Sequence, residues 1–122
     1  MAQFPEEELR RYVRDFLKDF KDLTYARRLR IKNRPENKEA LIELGLTDKQ
    51  REEVILSLSI EDFCSGPHED EINPGNYWVF GQRIDAMEVY IKLKIVTAPG
   101  SEYALCLSFH KAKHPLNYPF SK

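Results

Sequence analysis

Leu9, Tyr12, Val13, Phe16, Leu17, Phe20 and Leu23 recur at three- and four-residue steps with charged residues between them. That spacing predicts an amphipathic helix over residues 5–23, with Pro5 at its start and Glu6, Glu7 and Glu8 at the positive end of its dipole. Residues 25–31 alternate weakly and fit a short edge strand, and Asn33-Arg34-Pro35 breaks the chain. A short helix over 36–44 is closed by Gly45. Thr47, with Gln50 three positions on, forms a capping box for another helix reaching about Leu58, and Ser59 caps one further helical turn through Phe63. The next stretch, CSGPHEDEINPGN, holds two prolines, two glycines and three consecutive acids, and reads as a loop over 64–76.

From Tyr77 the period changes to two. In Met87–Val96 the residues Val89, Ile91, Leu93 and Ile95 face one way and Tyr90, Lys92 and Lys94 the other. In Tyr103–His110 the apolar set is Tyr103, Leu105, Leu107 and Phe109, which leaves Ala104, Cys106, Ser108 and His110 opposite. One sheet face must be apolar throughout, so paired residue numbers sum to an even value near 200, setting Tyr90 against His110 and Lys92 against Ser108. A two-residue turn at Asp85-Ala86 aligns Trp78 and Phe80 with Leu93 and Ile91, and puts Tyr77 and Val79 on the polar face.

These patterns predict an α+β fold: an antiparallel sheet of at least three strands (77–110), helices from the N-terminal half (about 5–63) packed on one face, and a C-terminal tail (111–122). The 122 residues suit a single domain, and with 42% hydrophobic and 32% charged residues they can bury one core. No run of about 18 apolar residues occurs, and the chain turns charged at its sixth residue, so neither a membrane span nor a signal peptide is expected. Cys64 and Cys106, far apart and without CxxC spacing, give no disulfide framework, which together with the missing signal suggests a reducing cytoplasm.

The formal net charge of −1 conceals an uneven distribution, because residues 46–75 hold two basic and eight acidic side chains and residues 76–122 six and three. That overall balance argues against sequence-independent binding of bulk nucleic acid but leaves room for a small basic site. The open sheet face gathers Tyr77, Tyr90, Lys92, Lys94, Ser108 and His110, followed by Lys111, Lys113 and His114. Aromatic planes with ammonium and imidazole groups can stack a base, hold a phosphate and move protons. The plain alternative is a solvated sheet face. His110 and His114 are four apart but end a strand before Pro115, so no metal site is expected there, nor any other cofactor. No Gly-rich phosphate loop, serine elbow or HExxH is present. Cys106 lies mid-strand and Cys64 has no placed base, so both read as packing thiols.

The order of Glu43-Leu44-Gly45-Leu46, Ile55-Leu56-Ser57-Leu58-Ser59, Glu61-Asp62-Phe63, Trp78, Val89-Tyr90-Ile91-Lys92 and Ser108-Phe109 resembles the motility quorum-sensing regulator (MqsR) family of type II toxin–antitoxin toxins, over about residues 43–110. The resemblance implies a RelE-like fold and a metal-independent endoribonuclease that cleaves mRNA and is neutralised by a cognate antitoxin. It puts Tyr90 on the family's catalytic tyrosine and His110 where a catalytic lysine stands, while Ser65 replaces a lysine and Val79 a glutamine. On this reading His110 is the acid/base and Tyr90 orients the phosphate or shares the proton transfer. Lys92, Lys94, Lys111 and Tyr77 then bind RNA and its phosphates. The rival is a non-catalytic regulatory or protein-binding module on the same fold.

Overall fold

The structure, a computed structural model, describes residues 4–121; residues 1–3 and Lys122, the last residue of the expected tail, lie outside the described residues. The order of elements is α1 (Glu6–Tyr25), β1 (Leu29–Ile31), α2 (Pro35–Leu44), α3 (Asp48–Ser57), a 3₁₀ turn (Ile60–Asp62), β2 (Phe63–Glu69), β3 (Asn76–Ile84), β4 (Met87–Ala98) and β5 (Ser101–Lys111). The strands form one sheet in the order β1-β5-β4-β3-β2, antiparallel except for β1, which runs parallel to β5. The α+β architecture stands, with two more strands than the three expected at minimum and one parallel pairing. No helix among the described residues is long and apolar enough to cross a membrane.

The helices start and stop where local chemistry dictates. Gly45 ends α2 at φ 66°, a left-handed conformation that costs glycine least. Thr47 and Gln50 make both bonds of the capping box that opens α3. The apolar stripe of α1 buries Val13, Phe16, Leu17 and Phe20, and Phe16 stacks on Trp78 and Phe80 at centroid distances of 5.1 and 6.2 Å.

Two expectations are corrected. Residues 64–69, expected in a loop, form the edge strand β2 together with Phe63, which was expected to end the preceding helical turn; Phe63 lies opposite Phe80 and His68 opposite Tyr77. Gly66 and Pro67 mask its strand character, but an edge strand tolerates proline and this one shifts register twice. The second correction concerns β5. Its register with β4 is the expected one from Tyr90/His110 to Lys92/Ser108, then slips by one so that Leu93 meets Cys106 and Ile95 meets Ala104. A tight turn at Pro99-Gly100, with Gly100 at φ 73°, pairs Ala98 with Ser101 and so forces an odd sum, and the bulge at Leu107 reconciles it with the even sum around His110. Ala104 and Cys106 therefore belong to the core, and Leu105 and Tyr103 turn to the other face.

Asn37 supports this bulge. The side chain is 1% exposed; its amide donates to Lys32 O (2.9 Å) and Leu107 O (3.1 Å), and its carbonyl accepts from Phe109 N (2.9 Å). Beyond the end of β1, a helix side chain thus pairs the edge of β5 that would otherwise be left unsatisfied.

Candidate active site

Strand alternation delivers Tyr77 and Val79 from β3, Tyr90 and Lys92 from β4, and Ser108 and His110 from β5 to the sheet face opposite α1. Tyr90 and His110 are Cα partners whose rings stack at 5.4 Å and 21°. The Lys92 ammonium lies 4.0 Å above the Tyr77 ring. His68 lies tilted beside Tyr77, 5.0 Å between ring centroids, with its Nε2 2.9 Å from Ser65 Oγ. Ser65, His68, Tyr77, Val79 and Tyr90 line a cleft of about 290 Å³, whose further wall is Pro115-Leu116-Asn117 of the tail.

The tail has a built path. Glu88 accepts from Leu116 N (3.0 Å) and from Tyr118 Oη (2.9 Å), and Phe120 is buried against Phe63 at 5.3 Å with the Arg10 guanidinium 4.6 Å over its ring. Gly81 lets the tail cross β3, because a Cβ there would sit 2.5 Å from Tyr118 Oη and 2.6 Å from Leu116 Cδ1.

Burial, together with Tyr77 and Cys64 nearby, raises the Tyr90 phenol above its ordinary value, so it stays a neutral donor. Burial first, then the positive charge of Arg34, lowers Lys92; a bound phosphate would offset both. Burial pushes the Cys64 thiol up to about 12, which keeps this cleft cysteine protonated and unsuited as a nucleophile. The His110 Nδ1 lies 2.9 Å from Lys111 O; a carbonyl only accepts, so Nδ1 carries the proton and Nε2 is left for chemistry.

The chain matches no protein-family model, and neither a curated protein nor a solved structure is significantly similar to it.

Of the residues singled out from sequence, Tyr77, Tyr90, Lys92 and His110 come together. Lys94 does not join them. It is 2% exposed and its ammonium donates to Asp70 Oδ2 at 2.7 Å, so it fastens the 70–75 loop and is not free for a phosphate. The same bond gives the acidic loop an intramolecular role that the sequence did not reveal. Lys111 pairs with Val89 of the core face, so alternation turns it away from His110, toward a groove shared with Arg83 and Glu88. Sequence reasoning missed His68, hidden in the supposed loop, and Arg34, whose Nη1 donates to Ser108 Oγ at 3.4 Å. Among the described residues no three His, Cys, Asp or Glu side chains converge as metal ligands.

Proposed function

We propose that this protein is a metal-independent endoribonuclease of the MqsR toxin type, with a RelE-like fold, acting on mRNA and held inactive by a cognate antitoxin. One observation carries the catalytic part: on one sheet face His110 stacks on Tyr90 while His68 and the Lys92 ammonium lie against Tyr77, and His68, Tyr77 and Tyr90 line the same cleft. RNA cleavage of this kind needs a base for the 2′-hydroxyl proton, an acid for the departing 5′-oxygen and positive charge for the phosphorane. The 2′-oxygen attacks phosphorus, the bond to the 5′-oxygen breaks, and the proton balance closes with a 2′,3′-cyclic phosphate and a 5′-hydroxyl. His110, with Nε2 free, and His68 supply the two proton-transfer groups. Lys92 stabilises charge on the phosphate and the neutral Tyr90 donates a hydrogen bond to it.

The family resemblance joins this chemistry at the cleft. Ser65, where the resembling family has a lysine, is the residue that His68 contacts, so an imidazole is available where that ammonium is lost. The antitoxin rests on the resemblance alone. The test is digestion of single-stranded RNA by purified chain in chelator. Expected are 5′-hydroxyl and 2′,3′-cyclic phosphate ends, and growth arrest on expression that the neighbouring gene product relieves. Intact RNA across diverse substrates would leave the regulatory or protein-binding module as the better reading.

A further inference from the structure

The segment Arg27-Arg28-Leu29-Arg30-Ile31-Lys32-Asn33-Arg34 carries five cations and no acid. Leu29 and Ile31 pack against the core, so alternation sends Arg30, and Arg28 and Lys32 on either side of it, toward the opposite face, the one that holds the cleft. None of the five takes part in the ion pairs among the described residues. Instead, the Arg30 guanidinium lies 4.1 Å over the ring of Tyr103, which the bulge at Leu107 turned out of the core. At the far end Arg34 reaches Ser108, the Cα partner of Lys92, and Lys92 covers Tyr77.

We infer that this edge of the sheet is a binding track for a single-stranded polynucleotide, running along β1 from Arg28 and Arg30 past Lys32 and Arg34 to the Lys92 end of the cleft. Like charges this dense, none of them in an ion pair among the described residues and with Arg28 held only by the Glu102 carbonyl at 3.3 Å, repel one another, and a polyanion relieves the repulsion. Alternate strand residues stand roughly 6.6 Å apart, a spacing that a flexible strand of phosphates can follow. Tyr103 and Tyr77 sit at the two ends of the row, each with a cation over one face of its ring, and the remaining face of an aromatic plane beside a cationic groove is what an unpaired base stacks on. A duplex hides its base faces and an acidic peptide has none, so neither uses these rings. The inference rests on the nuclease reading only for what lies at the end of the track, because binding is measured apart from cleavage.

The probe is a single-stranded DNA of about 12 nucleotides, which lacks the 2′-hydroxyl and stays intact, followed by fluorescence anisotropy over a range of salt. Arg30→Gln with Lys32→Gln should flatten the slope of log affinity against log salt by about 1.4, since each phosphate contact contributes about 0.7 on a single strand. Arg30→Lys with Lys32→Arg should retain the parental slope, which separates charge from any effect on folding. An unchanged slope in the Gln pair would overturn the track. So would a duplex of the same sequence binding as tightly as the single strand, or polyglutamate displacing the oligonucleotide at equal charge. A flattened slope in a chain whose parent cuts no RNA would keep the track and discard the nuclease; RNA cleavage with an unchanged slope would do the reverse.

Discussion

Asn37 accepts the amide of Phe109 at 2.9 Å and donates to Leu107 O two residues earlier, so a side chain of α2 takes the place of a strand beside β5. Both bonds hold the stretch that carries Ser108 and leads into His110. Replacing Asn37 with Leu strands buried backbone groups and should destabilise the fold by about 1–3 kcal/mol in chemical denaturation. It should also weaken whatever depends on His110 being stacked on Tyr90. A variant as stable as the parent would show that the edge of β5 finds other partners.

Phe16 lies in an aromatic layer with Trp78 and Phe80, and Phe16→Ala should cost about 3–5 kcal/mol, as buried phenylalanines do. Thermal unfolding measures this directly, and an unchanged Tm would contradict the packing of α1 on the sheet.

The parts of the fold that depend on neighbours in sequence were legible. The stripe of α1, Gly45 after α2 and the Thr47/Gln50 box are local signals, and Tyr90 facing His110 followed from parity once one face had to be apolar. What depends on distant partners was not. The bulge at Leu107 arises from a conflict between the Pro99-Gly100 turn and the register at His110, with Asn37 supplying the missing bonds from 70 residues away. Lys94 alternates as an exposed residue would, and the loop that carries Asp70, 24 residues earlier, with Asn73 and Gly75 covers it. His68 was invisible because Gly66-Pro67 obscures β2, which makes half of the candidate acid–base pair a product of the edge pairing with β3.

The Asp70–Lys94 pair should make stability fall in acid. The Lys94 ammonium, followed by the amides of Ile72 and Asn73, holds the Asp70 carboxyl well below the ordinary carboxylate range. The folded state therefore binds this proton less readily than the unfolded chain. Its stabilising contribution is complete above the unfolded pKa of about 3.9 and is lost as pH falls below that value. Asp70→Asn should remove that component of the acid dependence. At neutral pH it should lower Tm more than Lys94→Met does, because it leaves a buried cation without its carboxylate, facing only the Asn73 carbonyl at 3.4 Å. Equal Tm losses, or an acid profile unchanged by Asp70→Asn, would contradict the pairing.

Gly81→Ala should dislodge the tail, since the added methyl would meet Tyr118 and Leu116. Limited proteolysis should then cut within residues 112–121 while the sheet survives. A tail as resistant as the parent's would show that Tyr118 and Leu116 give way without leaving Glu88.

The most direct test of the account is the pH dependence of RNA cleavage in the parent, His68→Ala and His110→Ala proteins. An imidazole pair sharing acid and base roles gives a bell-shaped profile in the parent. Each substitution should lower the rate by roughly 10²–10⁴-fold and remove one limb of the bell, with Tm nearly unchanged because both side chains are only half-buried. If either variant cuts RNA as fast as the parent, or if both keep the full bell, His68 and His110 are not the proton-transfer pair.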